Sequence, residues 1–205
     1  MLILAADTSL ATLSAALLRD GLLLGAVALD GRSSRNEKLL PAIDWLLRES
    51  AVERSAIDLF AVTRGPGSFT GVRIGLATMQ GLALALGKPV CAMSTHQALV
   101  PGEGRWAVVD DAGRGESYLS LFEDGREVVA PHLGTPSDTA EEQRLVVSEF
   151  QQRSNAAVEC ARKAAQIAAA GELGRYADAT PIYVRLAEAE VKLLEQSKGK
   201  PPLPS

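Results

Sequence analysis

The sequence predicts an α/β protein of two lobes with mixed sheets, and three observations carry that expectation. Short apolar runs alternate with longer segments of helical periodicity, the pattern of layered α/β folds. An Asp-Gly turn joins apolar runs twice, at Asp20-Gly21 and at Asp124-Gly125, which is a strong hairpin signal. The order strand, Asp-containing turn, strand, Asp-Gly hairpin, strand occurs at the start of the chain and again from Trp106, a weak internal repeat.

Each element follows from its residues. Leu2 to Ala6 reads as a strand ending at Asp7-Thr8-Ser9; Leu13 to Leu18 and Leu22 to Leu29 complete a three-strand opening. Ser34 to Ser50 predicts a helix, with Leu39, Ile43 and Leu46 as its core stripe and Pro41 and Trp45 on another face. Pro41 must start that helix proper or kink it. Leu59 to Val62 is a buried strand, and Arg64 to Gly71 a turn-forming segment. A second helix runs from about Gly71 to Leu86, stopped by Gly87-Lys88-Pro89. Val90 to Met93 is a strand, and His96 to Val100 a helical turn.

After Pro101-Gly102 the pattern restarts. Trp106 to Val109 and Ser117 to Phe122 are strands around a polar turn at Asp110 to Gly115, and a third strand carries Val128 and Val129. Gly134 to Glu142 is a polar loop, Arg144 to Val147 a strand, and Asn155 to Ala170 an alanine-rich helix. A short strand falls within Ala179 to Leu186 and a final helix within Ala187 to Gln196; residues 197–205 form a flexible tail.

Composition excludes several classes. The net charge is -4, and no basic surface is visible for gripping a nucleic acid unaided. Cys91 and Cys160 lie apart in apolar stretches and read as two reduced core thiols. His96 and His132 have no ligand-spaced partner, so a metal site or a His-dependent triad is not expected. Asp110 and Asp111, adjacent acids in a turn, are expected to be solvated. The start MLILAADTS is no signal peptide, and no apolar run reaches the roughly 20 residues that span a bilayer. The expected location is the cytoplasm, away from membranes.

The segment Gly65-Pro66-Gly67-Ser68-Phe69-Thr70-Gly71-Val72-Arg73-Ile74-Gly75 fails both nucleotide motifs. A P-loop would need a Lys after its last Gly, and the dinucleotide pattern would need Gly71 one residue earlier. Its glycines instead allow a sharp turn and close packing, and Ser68 or Thr70 can cap the helix that follows. That helix is apolar on most faces, so it is buried on most faces, partly within this chain or against another. Asp7, Thr8 and Ser9 are weak candidates for holding a nucleotide phosphate or magnesium.

With GPGSFTGVRIG in a chain starting LAADTS, the sequence resembles the TsaB (YeaZ) family. Glu37 to Pro41 (EKLLP), Asp111 to Tyr118 (DAGRGESY) and Pro181 to Arg185 (PIYVR) are similar to further segments of that family. The resemblance covers about 180 residues, with Gly134 to Asp178 shorter and more diverged. It implies a two-lobed actin/Hsp70/sugar-kinase-like (ribonuclease H-like) fold. Residues 1–100 would form the first lobe, carrying the partner-binding helices. Residues 101–196 would form a smaller second lobe whose last helix can pack back on the first.

The resemblance also implies a non-catalytic subunit that binds TsaD, the threonylcarbamoyl transferase acting on tRNA, with TsaE joining the larger assembly. A homodimer in isolation would use a similar surface, and tRNA would be met only indirectly. The implied interface residues are Pro41, Trp45, Arg73, Ala77, Gln80 and Leu84. No intrinsic cofactor is implied; ATP or ADP would have only a composite site with the partner. This sequence departs from the family at two points: Asn36 stands where members often keep a His, and Gly113 where the DAR segment has Arg, with Arg114 one later. The rival readings are a small ATP-binding enzyme of the same superfamily, a peptidase, and a stand-alone homodimeric interaction module.

Overall fold

A computed structural model describes residues 1–30, 35–136, 143–151 and 154–185. The chain opens with an antiparallel meander of β1 (Leu2–Asp7), β2 (Thr12–Arg19) and β3 (Leu22–Asp30). Helix α1 (Arg35–Glu49) leads to β4 (Leu59–Thr63), and α2 (Phe69–Leu86) to β5 (Val90–Met93). The sheet order is β3-β2-β1-β4-β5, with β4 parallel to both β1 and β5.

A short α3 (Thr95–Leu99) connects to a second sheet of order β8-β7-β6-β9. Its strands are β6 (Arg105–Gly113), β7 (Glu116–Glu123), β8 (Arg126–Gly134) and β9 (Gln143–Val146). Strands β6, β7 and β8 repeat the opening meander, and β9 lies parallel to β6 as β4 does to β1. The result is a mixed α/β fold built on two mixed sheets, as the sequence predicts.

Strand β1 is buried along its whole length, as a central strand covered on both faces must be. Leu2, Leu4 and Ala6 share a core with Leu39, Ile43 and Leu46 of α1 and Val72, Leu76 and Met79 of α2. Ile3 and Ala5 face the other way, into a core with α5 (Ala156–Ala169). Small residues at Ala157, Cys160, Ala161 and Ala164 let α5 lie close on that face. Thus α5, from the second half of the chain, packs on the first sheet. Asn155 starts it: its side-chain oxygen accepts from the Ala157 and Val158 amides, and its Nδ2 donates to the Val27 carbonyl. Both cysteines are free and buried, Cys91 with its pKa pushed up to about 12 by that burial.

Several expectations change. Helix α1 runs through Pro41 from Arg35, so the proline does not start it. The expected polar turn at Asp110 to Gly115 is mostly strand, because β6 extends to Gly113 across a bulge. A short α4 (Val147–Gln151) follows β9 at once and has no periodic signal of its own in so short a run. No strand forms over Ala179 to Arg185. Pro181 lacks an N–H for a ladder, and the Ile182 amide bonds the Arg64 carbonyl at 2.7 Å instead. The expected helix within residues 187–196 lies outside the described residues, as do Leu186 and most of the 134–142 loop.

Candidate partner-binding face and the loop that sets it

The first turn of α2 is built by glycines packed against the β1–β2 turn. A side chain at Gly71 would run into the Thr8 carbonyl, one at Gly67 into the Ser9 carbonyl, and one at Gly75 into the Thr8 hydroxyl. Gly67 also has φ 144, which an L side chain rarely adopts. Ser68 caps the helix by accepting the Gly71 amide at 3.2 Å, and Thr8 Oγ1 donates to the Gly71 carbonyl at 2.6 Å. Thr8 and Ser9, candidates for holding a phosphate, are buried and bonded inward: Ser9 Oγ donates to Asp7 at 2.6 Å and lies 2.9 Å from Thr95 Oγ1.

The chain's closing motif locks the outside of this loop. Tyr183 stacks on Phe69 with ring centroids 4.5 Å apart, and Arg73 lies over Phe69 while its Nε donates to the Tyr183 hydroxyl at 2.8 Å. Arg64 donates to the Thr180 carbonyl at 3.0 Å. Arg185 then reaches the second lobe, donating to the Ala112 carbonyl and pairing with Glu116. Two motifs more than a hundred residues apart are therefore one structural unit, which sequence separation hid.

Beyond that turn α2 divides lengthwise. Val72, Leu76, Met79 and Ala83 are buried on the sheet. Arg73, Ala77, Gln80 and Leu84 recur at helical spacing on the opposite, exposed side, with Leu84 85% exposed. The hydropathy and 18-residue length of α2 would suit a membrane span. In this fold the apolar residues serve the sheet on one side and an open face on the other. On α1, packed beside α2, Leu40 and Trp45 are 44% and 46% exposed. Pro41 and Trp45 line an apolar groove of about 480 Å³ against Val27 and Leu29 of β3. All six predicted interface residues are thus on the surface, although Arg73 is already engaged with Phe69 and Tyr183.

Between the lobes lies a cleft of about 480 Å³ lined by Ser9, Ser68, Asp110, Asp111, Tyr118 and Gln151, among others. Asp7 of β1 and Asp110 of β6 occupy matching places, each one residue past the last pairing with the parallel neighbour strand. Asp110 is not solvated as expected: burial, with the Asp111 and Asp7 charges, pushes its pKa up to about 7. Burial also raises that of Asp7, against hydrogen bonds from Ser9 and Thr63. Among the described residues Asp7 Oδ2 and Gln151 Nε2 have no partner. The Asp7 and Asp110 carboxyls together favour holding a proton or a cation and oppose a bare phosphate. The signal for Asp110 was in the repeat, which sets it opposite Asp7.

Elsewhere, His96 Nδ1 lies 2.7 Å from Ser120 Oγ, a pairing that only the fold creates. Both side chains are fully buried, and burial drives the imidazole pKa down to about 3. Among the described residues no three His, Cys, Asp or Glu side chains converge to hold a metal.

Comparison with known proteins follows this geometry. A family model described as TsaD, tRNA N6-adenosine threonylcarbamoyltransferase, matches residues 32–177. The tRNA threonylcarbamoyladenosine biosynthesis protein TsaB of Bacillus subtilis is 28% identical over 97% of this chain and all of its own length. The protein of the same name from Escherichia coli is 36% identical over 60% of this chain and 55% of its own. The structure of YeaZ from Pseudomonas aeruginosa superposes with a TM-score of 0.69 at 29% identity, covering 89% of this chain and 99% of its own. By sequence, coverage and fold, the chain belongs to the TsaB (YeaZ) family, a branch of the wider family which the threonylcarbamoyltransferase model describes.

Proposed function

We propose that this chain is a non-catalytic subunit of the cytoplasmic machinery that forms threonylcarbamoyladenosine in tRNA, and that it acts by binding TsaD. The observation that carries this reading is the open face of α2, where Leu84 is 85% exposed and Ala77 lies about two turns away. Covering a leucine is worth roughly 1.5–3 kcal/mol, a gain that no described residue takes up. Small Ala77 allows close helix approach, Leu84 and Trp45 supply anchors, and Arg73 and Gln80 supply a polar border. TsaE would join the assembly through TsaD, and tRNA would be contacted chiefly by the partners.

A peptidase reading finds little support in the Ser–His pair seen among the described residues, because His96 and Ser120 are both closed to solvent. The test is co-purification with the TsaD of the same organism, sized by light scattering. A stable heterodimer that Leu84→Arg abolishes is the expected result. A complex that survives Leu84→Arg and Ala77→Arg would overturn the interface. Homodimers alone, with TsaD ignored at micromolar concentration, would favour the stand-alone interaction module.

A further inference from the structure

We propose that a recess behind the interlobe junction, formed by the β7–β8 hairpin, α3 and the turn after α5, binds the phosphate group of a small molecule. The recess has a volume of about 480 Å³, within the range of small-ligand sites. Arg126 of β8 and Arg175 of the 3-10 turn Leu173–Tyr176 line it, with Gln97 of α3, Tyr176, Glu127 and Glu172. Lys163 of α5 adjoins it, with its Nζ 3.6 Å from where a Cβ at the lining residue Gly125 would stand. Two guanidinium groups therefore line the recess and an ammonium adjoins it, beside the carboxylates of Glu127 and Glu172.

These cations are poorly matched within the chain. Among the described residues the Arg126 and Lys163 side chains make no hydrogen bond or ion pair. The acid that Lys163 senses is Glu159, whose carboxylate is held by Arg162 at 3.1 Å and Ser154 at 3.3 Å. Burial accordingly lowers the pKa of Lys163, the mark of an ammonium that has lost water without gaining a partner. Arg175 has only a 3.5 Å contact with Glu172 in its own turn. Gln97 Nε2 donates to the Tyr176 hydroxyl at 2.7 Å, which leaves the hydroxyl proton to donate elsewhere. Glu127 and Glu172 are the opposing charges: the Glu127 carboxyl accepts from Ser94 and burial raises its pKa, while Glu172 keeps its contact with Arg175.

Two guanidinium groups, an ammonium and a hydroxyl donor suit a multivalent oxyanion of the phosphate class, whose several acceptors each take a charge-assisted bond. The net charge of -4 and the confined recess favour a small molecule over a polynucleotide.

The full chain should be titrated with inorganic phosphate against sodium chloride of equal ionic strength, followed by amide NMR shifts, with glycerol phosphate as a second arm. Saturable shifts at Gly125, Arg126 and Tyr176 are expected. Lys163→Met and Arg126→Gln should each weaken binding about tenfold, as for loss of one charge-assisted bond. Melting in chloride should be unchanged or raised, since each substitution removes an unpaired charge. Tighter binding of glycerol phosphate would identify an organic monoester, and tighter binding of inorganic phosphate the free ion; either supports the site. Shifts no larger than those in chloride, or variants that bind phosphate as the native protein does, would overturn it.

Discussion

The two ends of α2 invert the usual distribution of polarity. At its first turn, polar groups are buried: Asp7, Thr8, Ser9 and Thr63 are almost wholly shielded and bond one another and the helix. At its far end, apolar groups are exposed, Leu84 most of all. The first region is closed, with nearly every donor answered inside the chain, so its residues serve the fold. The second is open, with apolar surface that no described residue covers, and the proposed encounter with TsaD rests on it. A motif's density of unusual residues therefore does not by itself mark a binding site.

The sharpest break of that contrast is Gly71→Ala. Its Cβ would displace the Thr8 backbone, which cannot give way as a flexible side chain could. A loss of about 3 kcal/mol or more is expected, read from urea unfolding. A variant as stable as the native chain would show that the loop is loose. Leu84→Arg should act oppositely, leaving unfolding within about 0.5 kcal/mol of native while weakening TsaD binding about 100-fold, as measured by calorimetry.

Asp110 separates the closed region from the cleft through pH. Its folded pKa of about 7 lies above the ordinary aspartate value of 3.8, so the folded state holds the proton more tightly. Its contribution is fully present below about pH 4 and is lost as pH rises through 7, on the order of a few kcal/mol. His96 has the opposite sign: its pKa falls from 6.5 to about 3, so its contribution is lost as pH drops through that window. The comparison of native protein with Asp110→Asn isolates the aspartate; the variant should gain relative stability from pH 5 to pH 8. A difference that stays flat would place Asp110 in water. The smallest effect is Tyr183→Ala, which removes the stack on Phe69 and the Arg73 hydrogen bond. About 1 kcal/mol is expected, with faster amide exchange at the start of α2. Unchanged exchange there would detach the closing motif from the loop.

The sequence by itself determined the elements whose signals are local. Asp-Gly turns set both hairpins, helical spacing of Leu39, Ile43 and Leu46 set the buried side of α1, and Ser68 and Gly87 bounded α2. It also located the exposed face, because a helix apolar on most sides has more such surface than one sheet can cover. Tertiary structure alone decided what depends on groups far apart in the chain. It placed α5 on the first sheet, joined Tyr183 to Phe69 and Arg73, made Asp110 a half-buried acid that feels the Asp7 charge, and paired His96 with Ser120. The physical reason is that periodicity and capping act over a few residues, whereas burial and charge depend on every element that closes around a group. A strand was expected over Ala179 to Leu186 for the same reason. Its composition permits one, but the Arg64 backbone, more than a hundred residues earlier, takes its hydrogen bond.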